Sequence, residues 1–177
     1  MNVITNTTVL SNFAVIGQLD LLRQLYGVIY IPIEVYEEMQ AGLEEGYRFY
    51  VGMAQLIYPF VEKGWIWLTS ATDEQELRPL GELPRRLHRG EAACLAIAQH
   101  RGWLLLTDDL TARKEATRRR IPKSGSVGCL VMAVERDLCT LEQANSWLED
   151  MIRHNYRPPV TDLTLLLKRS VYASQQH

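Results

Sequence analysis

The apolar run Trp103-Leu104-Leu105-Leu106, preceded by Gly102 and followed by Thr107-Asp108-Asp109, constrains the fold more than any other segment. An amphipathic strand would alternate polar and apolar residues. A continuous run is buried on both faces, as at the centre of a parallel sheet covered by helices. The rest of the chain supplies the partners such a sheet needs. Val3 to Thr5, Val28-Ile29-Tyr30-Ile31 and Trp65-Ile66-Trp67-Leu68-Thr69 are β-branched or aromatic and predict further strands. Ile121 to Ser124 predicts one more short strand.

Helical segments lie between the strands. Asn6-Thr7-Thr8 has N-cap chemistry for a helix through Leu10, Phe13 and Ile16. Gly17 closes it, and Leu19, Leu21, Leu22 and Leu25 continue a helical face to Gly27. Pro32 suits the first turn of a helix through Val35 and Met39. Leu43 to Phe60 predicts a further helix ending near Pro59, and Ser70 to Arg89 predicts an irregular polar stretch. Gly90 to His100, Asp109 to Arg120, Ser126 to Val134 and Leu141 to His154 predict helices. A last amphipathic helix through Leu163, Leu166 and Leu167 follows Pro158-Pro159. This alternation predicts an α/β fold with right-handed crossovers. The expected unit is one domain over residues 1–177, with the C-terminal helices from about residue 141 packed on it.

Composition narrows the function classes. Apolar residues make up 47% of the chain, enough for an ordinary core. No apolar run approaches the roughly 18–20 residues that span a bilayer, and the first residues lack a signal-peptide pattern. Cys94, Cys129 and Cys139 have no metal-ligand spacing and predict reduced thiols, so a cytoplasmic location is expected. A net charge of −2 argues against a bulk polycation but leaves room for local basic patches. One is Arg85, Arg86 and Arg89; the other is Arg113, Lys114, Arg118, Arg119, Arg120 and Lys123.

Open α/β sheets bind ligands beyond the carboxyl ends of their strands. Asn6 falls there, as do Thr107, Asp108 and Asp109. Glu38 lies on the helix after the second strand, with Glu34 one turn earlier, and Glu91 opens the helix leading to Trp103. Clustered carboxylates repel unless a cation or protons relieve them. All-oxygen ligands suit Mg²⁺ or Mn²⁺, which can activate water and stabilise charge on a transferring phosphoryl group. Each acid also has a simpler reading. Asp108 or Asp109 caps the helix behind it, Glu91 gains from a helix dipole, and Arg113 pairs with Asp109 one turn away. The arginine-rich helix is either a solvated face or a holder of nucleic-acid phosphates. The turn Ser124-Gly125-Ser126-Val127-Gly128 is either a tight connection or a donor of N–H groups to an anion.

Four segments together resemble the PIN-domain family in order and spacing. They are Thr5-Asn6-Thr7-Thr8-Val9-Leu10, Ile31-Pro32-Ile33-Glu34-Val35-Tyr36-Glu37-Glu38, Gly90-Glu91-Ala92 and Leu105-Leu106-Thr107-Asp108-Asp109-Leu110-Thr111-Ala112-Arg113. The chain is most similar to a prokaryotic subgroup of predicted nucleic-acid-binding proteins, and Ser126-Val127-Gly128-Cys129-Leu130 resembles that subgroup too. The resemblance implies a three-layer fold, with a mostly parallel sheet of four or five strands between helices. It implies a Mg²⁺- or Mn²⁺-dependent ribonuclease, in many members the toxin of a toxin–antitoxin pair. Glu38, Glu91, Asp109 and its neighbour Asp108 match the acids, catalytic and metal-holding. Thr107, Arg113, Lys114, Arg118, Arg119 and Ser126 are then expected along the RNA. The implied partners are RNA, a cognate antitoxin and a second copy of the chain. Surplus apolar residues from Leu163 to Tyr172 also favour a homodimer.

Asn6 stands where the family has its first Asp. An amide offers one oxygen and no charge, so it predicts a weak ligand. The alternative is a PIN-like module that binds RNA or protein without cutting. A receiver or phosphatase of another α/β type ranks lower, because such domains carry key acids after the first strand, where this chain has Asn6.

Overall fold

The computed structural model describes residues 1–167. Along the chain run β1 (Val3–Thr5), α1 (Thr7–Val15), α2 (Leu19–Tyr26), β2 (Ile29–Pro32) and α3 (Ile33–Glu44). Then come β3 (Ile57–Tyr58), β4 (Ile66–Thr69), α4 (Glu74–Leu80), α5 (Arg89–Arg101) and β5 (Leu104–Leu106). The last are α6 (Leu110–Arg118), β6 (Lys123–Ser124), α7 (Ser126–Glu135) and α8 (Leu141–Arg153). The strands form one parallel sheet in the order β3-β4-β2-β1-β5-β6. Helices flank it in two packed groups, α1, α2, α7 and α8 in one and α3, α4, α5 and α6 in the other. Among the described residues no helix is long and apolar enough to cross a membrane.

The sheet has six strands where four or five were expected. The additional one is β3, within the stretch predicted as helix from Leu43 to Phe60. No α-helix of its own forms there: α3 stops at Glu44, and only 3₁₀ turns at Arg48–Tyr50 and Met53–Leu56 follow. Gly46 and Gly52 then take φ of 96° and 86°, a left-handed backbone that ends an α-helix and that glycine enters without a Cβ clash. Ile57 and Tyr58 next pair with Ile66 and Trp67. With β3 added at the far edge, β5 lies one strand in from the other edge, and β1 and β2 take the middle. Leu105 and Leu106 are still buried, at 1% and 0% exposure, because β6 shields the open side.

The predicted irregular stretch contains a short helix, α4. Asp73 caps it, its side chain accepting from Gln75, while Glu76 reaches back to the N–H of Asp73. This reciprocal box overrides the breaking tendency of Pro79 and Gly81. The expected C-terminal helix is described only in part. Residues 164–167 are helical and Leu163 is fully buried, while the segment to Tyr172 extends outside the described residues.

The topology fixes where a ligand can enter. From β1 the chain moves towards β2 on one side, and from β5 it moves to β6 on the other. The connections diverge between β1 and β5, and such a switch point opens a crevice beyond the carboxyl ends of the two strands. The register pairs Thr5 with Leu106, so Asn6 and Thr107 face each other across that crevice.

Candidate active site at the strand switch point

The two residues past the paired strand ends are joined directly. Asn6 Nδ2 donates to Thr107 Oγ1 at 2.9 Å, and both residues are buried. Asn6 Oδ1 accepts from the Thr8 N–H at 3.2 Å and the Thr8 hydroxyl at 2.7 Å. Asn6 therefore caps α1, and both the oxygen and the nitrogen of its amide are used by the fold. Thr107 Oγ1 also accepts from the Asp109 N–H at 3.2 Å, which holds the turn into α6.

Three carboxylates surround this junction, and each is anchored in the same way. Asp109 Oδ1 caps α6, accepting from the Ala112 N–H at 2.7 Å. Glu91 Oε2 accepts from the His88 N–H at 3.0 Å at the start of α5. Glu38 Oε1, on α3, accepts from the Gly90 N–H at 2.9 Å. Each acid thus meets a helix N-terminus through one oxygen, and among the described residues its other oxygen makes no hydrogen bond. Burial pushes the Glu91 carboxyl above the usual carboxylate range; the His88 N–H opposes this, and the charges of Asp109 and Glu38 add to it. Glu91 therefore lies close enough to Asp109 and to Glu38 to feel the charge of each. Cys94 lies beneath them, with its thiol donating to Thr5 O at 3.3 Å. Burial, then Glu38 and Glu91, push that thiol well up, so it stays protonated.

Glu38 and Glu91 face a cavity of about 360 Å³ that Thr7, Tyr47, Tyr50 and His88 also line. Glu34 borders the adjoining cavity with Glu38 and His88, and its Oε2 is buried without a partner among the described residues.

Asp108 points the other way. Its Oδ1 accepts from the Ser126 N–H at 2.9 Å and the Tyr156 hydroxyl at 3.0 Å. Its Oδ2 accepts from Asn12 Nδ2 at 2.9 Å and from the Ser126 hydroxyl. Asp108 is the anion at the N-terminus of α7, with both oxygens used. Burial, then the Asp108 charge, drive the Tyr156 phenol upward. Asn12 and Tyr156 had no signal in the sequence, since a motif reading does not reach a partner 96 or 48 residues away.

A family model described as a PIN domain matches residues 2–170. The chain belongs to the PIN-domain family. No curated protein and no solved structure gives a significant match. A PIN domain is a nuclease-type fold associated with nucleic acid, and PIN domains generally depend on divalent metal. Among the described residues of this PIN domain, no three His, Cys, Asp or Glu side chains gather at metal-holding spacing. The donor chemistry nevertheless fits a hard cation. The uncommitted atoms of Glu38, Glu91 and Asp109 are carboxylate oxygens, and Mg²⁺ is commonly held by one or two carboxylates with water completing its shell.

The basic residues divide into paired and unpaired. Arg118 is exposed and binds Glu115 through Nε and Nη2. Arg119, whose side chain is only 9% exposed, binds the same carboxylate and Gln99. These two arginines, expected on RNA, stitch α6 to itself and to α5. Lys114 is exposed. Arg113 Nη1 donates to Thr107 O at 2.9 Å and Ser124 O at 3.1 Å, which ties β5 to β6. Thr107 and Ser126 are fully buried.

Proposed function

We propose that this PIN domain is a ribonuclease that hydrolyses phosphodiester bonds in single-stranded RNA with Mg²⁺ or Mn²⁺. One observation carries the reading. Glu38, Glu91 and Asp109 are each anchored through one oxygen by a backbone N–H and keep the other uncommitted, beside the switch-point crevice. Capping alone does not explain why Glu91 lies where the charges of Asp109 and Glu38 both act on it. Glu38, Glu91 and Asp109 would hold the divalent cation, which when bound would supply water activation and charge stabilisation at the phosphate.

The chain's own groups do the rest. The Gly90, His88 and Ala112 N–H groups fix the three carboxylates in rotamer and position. Thr107 sets the turn that presents Asp109. Asp108 contributes by position, locking α1, α7 and Tyr156 around the crevice. The same reading extends to a toxin held by a cognate antitoxin, and to a homodimer; co-purification with a small adjacent-frame product and the mass in solution test these.

The decisive experiment is cleavage of single-stranded RNA with Mn²⁺ by the natural protein and by Asp109→Ala. Cleavage is expected only from the former, and equal cleavage by both overturns the assignment.

A second reading rests on Asn6, whose amide oxygen already accepts two hydrogen bonds and carries no charge. It describes a weakened PIN domain that binds RNA or protein. Substoichiometric cutting by the natural protein rules it out.

A further inference from the structure

On the far side of Asp108 from the three acids lies a cavity of about 490 Å³, bounded by α6, the N-terminus of α7 and the segment after α8. Arg113, Lys123 and Arg157 line it, with one carboxylate, Asp108. Asp108 is already satisfied by its hydrogen bonds from Ser126, Asn12 and Tyr156. The cations are not. Arg23, Arg89, Arg101, Arg118, Arg119 and Arg153 all form ion pairs with carboxylates, whereas Arg113, Lys123 and Arg157 form none among the described residues. Arg113 is held by its two carbonyl contacts, which leaves Nε and Nη2 unspent. A pre-positioned guanidinium with spare donors suits the planar, multi-oxygen face of a phosphate.

The cavity is continuous with the crevice. A second cavity shares Asp108, Leu110, Tyr156 and Arg157 with it and extends to Asp109 and Thr8. The groove therefore runs from Asp109 and its uncommitted oxygen at one end to unpaired cations at the other. We infer that the Arg113–Lys123–Arg157 cavity is a phosphate subsite, which holds a phosphate of the RNA strand beside the one at the acidic site. Its volume lies in the range of small-ligand sites, about 300–1,000 Å³, and Tyr156, Pro158 and Pro159 supply an apolar wall for a sugar or base. The inference rests on the RNA reading above but makes no use of cleavage. Binding here does not need the divalent cation, because the subsite's own charges attract the phosphate.

The test is fluorescence anisotropy of a labelled single-stranded RNA, in EDTA, over a series of salt concentrations. The RNA is used with a 5′-phosphate, with a 3′-phosphate and with neither. The proteins are the natural chain, Lys123→Gln/Arg157→Gln and Glu38→Gln. Arg113 is left alone because its carbonyl contacts make it structural. The double variant is expected to bind more weakly, with a salt slope shallower by about 0.7 for each phosphate it no longer neutralises, while Glu38→Gln keeps the natural slope. If the loss falls only on one phosphorylated RNA, the subsite takes that terminal phosphate; equal loss on all three assigns it an internal phosphodiester. Natural slope and affinity in the double variant, or no binding by the natural chain, overturn the proposal. If the natural protein binds in this way but does not cut, the ribonuclease reading falls and the subsite stands.

Discussion

Glu38 and Gly90, 52 residues apart, are joined by a 2.9 Å hydrogen bond from the glycine N–H to the carboxylate, and no side chain fits between them. A Cβ on Gly90 would lie 2.8 and 2.9 Å from the Glu38 oxygens and 2.7 Å from Val35 Cγ2. The glycine is therefore the surface against which the carboxylate is set, and its position in α5 places Glu38 relative to Glu91 next to it.

Gly90→Ala separates packing from function. Alanine favours a helix over glycine by about 1 kcal/mol, which offsets part of the clash, so the melting temperature should change little. Glu38 must swing away. Loss of such an orienting contact typically costs about 10–100-fold in metal affinity or activity. Cleavage and Mn²⁺-induced thermal stabilisation should both fall by that order, with circular dichroism unchanged.

Asp109 has two jobs that substitutions can divide. Asp109→Ala loses the α6 cap, a cost of about 1 kcal/mol, and also loses the site oxygen. Asp109→Asn keeps the cap acceptor for Ala112 but not the charge. Urea denaturation should place Asp109→Asn near the natural protein and Asp109→Ala about 1 kcal/mol below it. Neither should cleave RNA. Full activity in Asp109→Asn would leave Asp109 a cap and nothing more.

These effects follow local chemistry that is legible in the sequence, but other features are not. β1, β2, β4 and β5 were legible because β-branched, aromatic or continuous apolar runs signal strands without tertiary help. β3 was not, since Ile57-Tyr58 is a strand only because β4 offers it a partner. α4 had a readable box in Asp73 and Glu76, outweighed by the nearby Pro79 and Gly81. Asp109 after β5, Glu91 in the first turn of α5 and Glu38 on the helix after β2 could be picked out as candidates from their places in the chain. The direction of the Asp108 side chain was not, because Ser126, Asn12 and Tyr156 set it across long separations. Glu115 sits three and four residues before Arg118 and Arg119, so their pairing was available from helical spacing.

Glu91→Gln should make stability depend differently on pH. Burial raises the folded-state pKa of Glu91 above its unfolded value. The folded protein therefore binds the proton more tightly, and the penalty for the buried charge is full above the folded pKa and absent below the unfolded one. The substituted glutamine keeps the acceptor for His88 but has no charge to bury. In EDTA the variant should be the more stable protein at neutral pH, with the advantage shrinking as pH falls into the ordinary carboxylate range. With Mn²⁺ the order should reverse, because only the natural protein gains the cation. Thermal melts across pH, with and without Mn²⁺, check both halves.

Arg101 supports the opposite end of α5. It pairs with Glu76, whose side chain is 2% exposed, donates to Thr69 Oγ1 and Ser70 O at 2.9 Å, and lies 4.9 Å from the Trp103 ring centre. Arg101→Met leaves Glu76 buried without its partner, at a cost of about 3–5 kcal/mol. The Arg101 hydrogen bond holds the Glu76 carboxyl below its usual range. Its contribution is thus complete above the unfolded pKa and is lost as pH falls through the folded one. Urea titrations should show a wide gap between the two proteins at neutral pH that narrows in acid.

Asn6→Asp tests whether the crevice is built for a charge it lacks. Aspartate caps α1 as well as asparagine does, so Oδ1 can keep its bonds from Thr8. The second oxygen replaces Nδ2 opposite Thr107, 2.9 Å away in the natural protein, and the Thr107 hydroxyl can turn to donate to it. What changes is a negative charge at a position only 1% exposed, near acids that already repel. Without a cation, burying it should lower the melting temperature. With Mn²⁺ the variant should recover more than the natural protein gains, bind the ion more tightly and cut RNA faster. A variant whose Mn²⁺ response matches that of the natural protein would place the cation away from this strand end, on Glu38, Glu91 and Asp109 alone.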